Sequence, residues 1–174
     1  MKTSLKGIPA IRKRRSGGNV ILESVFTFLP LLAVILFFLD IGFMLFRWST
    51  LQNAVREGCR YAVTFQTNGG AGQDASVEQV VQRYAFGLVK TTDSPNLIHV
   101  DYYNPANPNT AIATGGNIPG NVVEVSVQGI DLSWIMPLSG TLAGPLYASL
   151  PLRLNVRTSD ILGGYPAGVN SIGR

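Results

Sequence analysis

The run Ser24–Phe46, SVFTFLPLLAVILFFLDIGFMLF, constrains this chain more than any other stretch. It holds 23 residues and a single charge, Asp40. Coiled as an α-helix it is roughly 35 Å long, enough to cross the hydrocarbon core of a bilayer. The apolar stretch of a secretory signal peptide is shorter, about 7–15 residues, and leads to a small-residue cleavage site. This run instead ends in Phe46-Arg47-Trp48, an interfacial anchor. The sequence therefore predicts a transmembrane helix over residues 24–46, the alternative being a buried core helix of a soluble protein. Pro30 is compatible with the membrane reading, because spanning helices tolerate proline better than soluble ones.

Charge sets the orientation. The chain carries a formal +4, yet Lys2, Lys6, Arg12, Lys13, Arg14 and Arg15 all precede residue 18, where there is no acid. The remainder has eight Lys/Arg against ten Asp/Glu and is slightly acidic. The positive-inside rule places the N-terminus in the cytoplasm and everything after Arg47 outside. A body without a basic stripe is a poor binder of nucleic acid. One cysteine, Cys59, excludes an intrachain disulfide and a cysteine metal cluster. One histidine, His99, leaves little for zinc or haem, so no metal and no cofactor is expected.

Helical period continues past the apolar run. In residues 49–66, Leu51, Ala54, Val55, Gly58, Cys59 and Ala62 share one face, while Gln52, Asn53, Arg56, Glu57 and Arg60 fall on the other. A glycine costs about 1 kcal/mol against alanine inside a helix, so Gly58 predicts close packing. One helix from Asn19 to Gln66 is expected, broken by Asn68-Gly69-Gly70-Ala71-Gly72. Ser76 is the expected cap of a second helix reaching Val89, with Val77, Val80, Val81, Tyr84, Ala85 and Leu88 on its apolar face.

Three segments then alternate with period two. Ile98, Val100 and Tyr102 form one apolar row, Val123, Val125 and Val127 another, and Leu150, Leu152, Leu154 and Val156 a third. That is an antiparallel sheet with one dry face. The fold class is α+β: a long N-terminal transmembrane and amphipathic helix and a second short helix, packed on a small antiparallel sheet of three to four strands. The domains are a basic leader, 1–18, a long helix, 19–67, and an extracytoplasmic α+β domain, 68–174. Residues 104–121 read as a surface loop rich in Pro, Gly and Asn. Residues 129–148 are apolar and irregular, and either cap the core or touch the membrane or a partner subunit. The glycine-rich segment after Asp160 reads as frayed.

No catalytic constellation stands out, and no enzymatic activity is expected. His99 and Asp101 point the same way on one strand with Ser94 nearby, but there is no nucleophile elbow. A membrane-tethered hydrolase using His99 is the remote reading. Cys59 on its small-residue stripe reads as a packed thiol.

Two stretches carry a family resemblance. A basic leader ending in Gly18, then Asn19-Val20-Ile21-Leu22-Glu23 and a long apolar helix, resembles the class III (type IV) prepilin signal. The segment LQNAVREGCRYAV, residues 51–63, resembles the hallmark LQNAAREGARYA of TadE-like pseudopilins, with Cys59 in place of an alanine. Asp40-Ile41-Gly42 matches the acidic-x-Gly late in that family's membrane helix. The resemblance implies a minor pseudopilin of the Tad (tight adherence) secretion system that takes part in Flp pilus assembly. It implies cleavage between Gly18 and Asn19 by a prepilin peptidase. Glu23 and Asp40 would be intramembrane assembly residues. Leu51, Asn53, Ala54, Arg56, Glu57, Gly58, Arg60 and Tyr61 would be the family's packing motif. The implied partners are the peptidase, other Tad pseudopilins, the Flp pilin, inner-membrane Tad platform proteins and membrane lipid. The location would be the bacterial inner membrane. The alternative is an uncleaved, single-pass anchored module that binds an extracytoplasmic ligand through its sheet or the 104–121 loop.

Overall fold

In the computed structural model, residues 17–90, 92, 97–131 and 153–174 are described. The element order is α1 (Gly17–Val63), α2 (Gln73–Tyr84), β1 (Ile98–Asn104), β2 (Asn107–Ala111), β3 (Val122–Asp131) and β4 (Arg153–Ile161). This is the expected α+β class. The chain divides into two compact units, one ending at Phe38 and the other starting at Leu39. In the first, α1 turns apolar side chains outward on all sides: Phe26 is 80 % exposed.

The second unit holds the core. The four strands lie in the order β2-β1-β3-β4, every neighbouring pair antiparallel. The register sets Val100 opposite Val125 and Val127 opposite Val156, so the apolar rows align on one face. Ile98, Val100, Tyr102, Val123, Val125, Val127, Leu154 and Val156 are all buried, as the alternation predicted. Leu150 and Leu152 lie outside the described residues. From the helices, Leu51, Ala54, Val55, Cys59 and Ala62 of α1 join the same cluster with Val77 and Val81 of α2 and Ala85 and Val89 just past it. Gly58 allows the close approach: a Cβ there would collide with Val81 Cγ2 and lie 3.7 Å from Val125 Cγ1.

Several boundaries differ from expectation. Helix α1 ends at Val63, before the glycine run, where Phe65 takes a φ of 53° and its N–H bonds to the Ala62 carbonyl at 3.0 Å. The left-handed backbone turns the ring inward onto Tyr165, 4.6 Å between centroids. Helix α2 begins at Gln73 with Gly72 as its N-cap, so Ser76 is not the cap. The Ser76 hydroxyl donates to the Gly72 carbonyl and accepts from the Asn68 N–H, joining the loop to the first turn. The helix stops at Tyr84, which is exposed, not on the apolar face.

The 104–121 segment is not all loop. A tight turn at Pro105-Ala106 leads into β2, NPNTA, a fully exposed edge strand with Pro108 near its start. Pairing here is backbone work alone, so no period-two apolar signal marks it. Of the 129–148 stretch, residues 129–131 finish β3 beyond an irregularity between Val127 and Ile130. Residues 132–148 lie outside the described residues.

The glycine-rich segment is docked, not frayed. Gly173 accepts a bond from the Gln73 N–H at 2.9 Å. Asn117 Nδ2 donates to Gln73 Oε1 at 3.0 Å and to the Ile172 carbonyl at 2.8 Å. Gln73 Nε2 donates to the Ala62 carbonyl at 2.8 Å, tying α1 into the same network. Gln73 is fully buried, which is tolerable only because its amide is paired at both ends.

Candidate functional site

Helix α1 carries the residues on which the sequence places function. It is long and apolar enough to cross a membrane, and its most apolar window is 6 % buried within the molecule. A core helix of a soluble protein would be covered by its own chain, so this one fits a membrane anchor. Three hydroxyls along it are satisfied locally. Ser24 donates to the Val20 carbonyl at 2.8 Å, Thr27 to Glu23 at 3.1 Å and Thr50 to Phe46 at 2.8 Å. Back-bonding of this kind removes the cost of carrying a hydroxyl into lipid.

Gly18 and Asn19 stand in the first turn of α1, a helix that begins at Gly17. Residues 1–16, part of the expected leader, lie outside the described residues. Glu23 is exposed and lines a shallow groove with Val20, Ser24, Thr27, Phe28 and Leu31. Asp40 differs: it is 6 % exposed.

The 51–61 motif divides between two faces. Leu51, Ala54 and Gly58 are buried and Tyr61 packs part-buried against the core. Asn53, Arg56 and Arg60 are exposed. Arg60 Nη1 meets Glu57 Oε1 at 3.3 Å, one turn apart, an exposed pair that contributes little to stability. Cys59 is 3 % exposed, and burial, followed by the charge of Asp160, pushes its thiol up to about 11. It is neutral and shielded at physiological pH.

Sheet residues offer less. His99 is half-buried opposite Ser126, and Asp101 faces Glu124 across the same ladder. Ser94 lies outside the described residues. Among the described residues no group of three or more His, Cys, Asp or Glu side chains converges as a metal site.

Sequence reading missed a second polar cluster and a groove. Arg174 Nε donates to Asp74 Oδ2 at 2.6 Å, and the Tyr102 hydroxyl donates to Asp74 Oδ1 at 2.7 Å. The Arg174 guanidinium lies 4.8 Å from the centre of the Tyr102 ring. The groove is lined by Phe46, Trp48, Ser49, Thr50, Gln52, Asn53, Arg56 and Phe86. Phe86 is 30 positions beyond Arg56, so only the fold brings it there.

These features define a protein whose α+β domain follows one long apolar helix among the described residues, a helix that fits a membrane anchor. Residues 18–60 match the model of the TadE-like protein family, and that stretch of the chain is TadE-like. The match begins at Gly18 and ends within the 51–63 segment, so it covers most of α1. No curated protein and no solved structure matches the chain.

Proposed function

We propose that this chain is a minor pseudopilin of the Tad secretion system, taking part in Flp pilus assembly through contacts made by α1. The observation that carries the reading is the coincidence of the TadE-like stretch, residues 18–60, with an apolar helix left uncovered by its own chain. A helix of that kind has lipid or other helices as its only partners. The protein itself performs no chemistry in this scheme; it is the substrate of a prepilin peptidase that cuts after Gly18.

Glu23 has a physical role in the scheme. Cleavage leaves a positive α-amine at Asn19, one helical turn from Glu23. In lipid both charges need partners, and a neighbouring subunit carrying the same pair supplies them. Such a pair sets register between subunits more than it adds stability. The domain after Arg47 lies outside the inner membrane, where it meets other Tad pseudopilins, the Flp pilin and the platform proteins.

N-terminal sequencing of the membrane-extracted protein tests the processing step, with Asn19 expected as the first residue. A chain still starting near Met1 in cells with an active peptidase favours the uncleaved anchored module instead. Glu23→Ala is expected to leave membrane insertion intact and to reduce surface piliation. Unchanged piliation removes Glu23 from assembly.

A further inference from the structure

The groove beside the end of the apolar run combines two chemistries. Phe46, Trp48 and Phe86 supply aromatic walls, while Ser49, Thr50, Gln52, Asn53 and Arg56 supply hydrogen-bonding groups and one cation. Its volume is about 500 Å³.

Phe86 is the unusual wall. It holds a φ of 49°, a left-handed conformation that a bulky side chain adopts only under constraint. Phe65 shares that conformation, and there the ring is driven into the core. Phe86 is driven the opposite way: its ring is 78 % exposed. Packing among the described residues therefore does not account for the ring, and a medium outside them does.

The position along α1 identifies that medium. Phe46 closes the apolar run and Trp48 follows it, so the groove opens at the level where the helix leaves the hydrocarbon. Tryptophan favours this interfacial level. The headgroup layer is roughly 5–8 Å thick on each side of the core. Arg56 has its Cα about 15 Å beyond that of Phe46. Side chains on a helix lean toward its N-terminus, however, and the long arginine stem lets the guanidinium reach back toward the membrane while its Cα stays outside. Arg56 is exposed, and among the described residues no carboxylate lies within ion-pairing distance of it.

We infer that this groove seats the phosphate headgroup of a phospholipid, with Arg56 binding the phosphate and Phe86 entering the interface as a second anchor beside Trp48. The inference rests on the reading of α1 as a membrane anchor. It ties the domain to the leaflet at two points, the emerging helix and the Phe86 turn.

Bromine-lipid quenching of tryptophan fluorescence tests it on the full chain reconstituted in vesicles. Three single-tryptophan proteins are compared, all with Trp134→Phe: native Trp48, Phe86→Trp with Trp48→Phe, and Asn107→Trp with Trp48→Phe. The indoles at 48 and 86 are expected to be quenched alike, and the one on exposed β2 hardly at all. Quenching at 48 but not at 86 overturns the groove while leaving the anchor intact. Quenching at neither overturns both readings. Equal quenching at 107 overturns the groove as a specific seat. Replacing neutral phosphatidylcholine with anionic phosphatidylglycerol is expected to raise the lipid-docked to undocked ratio at 86 about fivefold per cation. Arg56→Gln is expected to reduce that rise about fivefold, and an undiminished rise removes Arg56 from the site.

Discussion

Arg174 anchors the last segment of the chain with one side chain. Besides Asp74, its Nη1 donates to the carbonyls of Ile112 at 3.0 Å and Ala113 at 2.8 Å, and its Nη2 to that of Val100 at 3.2 Å. A planar fork with donors in fixed directions makes this set; a lysine ammonium cannot. Arg174→Lys is therefore expected to lose most of what Arg174→Gln loses, about 2 kcal/mol. Chemical denaturation measures the loss, and faster amide exchange over 162–174 locates it. Nothing in the local sequence marks this contact. Glycine-rich composition reads as loose chain, and the partners, Asp74, Tyr102 and the carbonyls, are far away in sequence. The Gln73–Asn117 bonds were hidden for the same reason, since two amides carry no hydropathy signal.

At the scale of elements, periodicity was the reliable guide. The buried face of α1 from Leu51 to Ala62 and the dry faces of β1, β3 and β4 follow from spacing because one side of each meets the core. Elements that bury nothing were the ones lost: β2 is exposed at every position. The packing of α1 on α2 turns on Gly58. Gly58→Ala gains about 1 kcal/mol of helix propensity. It also forces a methyl into Val81, and overpacking of this kind costs about 1–3 kcal/mol. The net expectation is a lower melting temperature. Combining Gly58→Ala with Val81→Ala removes the clash, so the double variant is expected to be more stable than the sum of the two single changes. Strict additivity would show that the two positions do not touch.

For the molecule as a whole, stability should fall in alkali. Burial, then the hydrogen bond and charge of Asp74, holds the Tyr102 phenol well above its ordinary range, with Arg174 acting weakly the other way. The Cys59 thiol is raised from 9.0 to about 11. Above about pH 9 the unfolded chain therefore releases protons that the folded chain keeps. The unfolded state binds fewer protons, so stability decreases as pH rises, by about 1.4 kcal/mol per pH unit for each group fully engaged. Melting curves between pH 8 and about 11 check this. Cys59→Ala is expected to flatten the slope from 9.0 to about 11, whatever it does to stability at neutral pH. At this scale the sequence was legible where it is TadE-like, over residues 18–60. The Phe86 groove was not, because it exists only once the chain after α2 folds back beside α1.

Pro108 has a consequence in a crowded bilayer. Anchored proteins share a thin sheet of space and collide far more often than they would in bulk solution. An open sheet edge under such crowding is a template for endless strand addition. The proline in β2 withholds an N–H from any incoming strand, and the short, two-sided polar edge offers it no apolar face. Neighbouring copies meeting at this edge gain nothing by pairing.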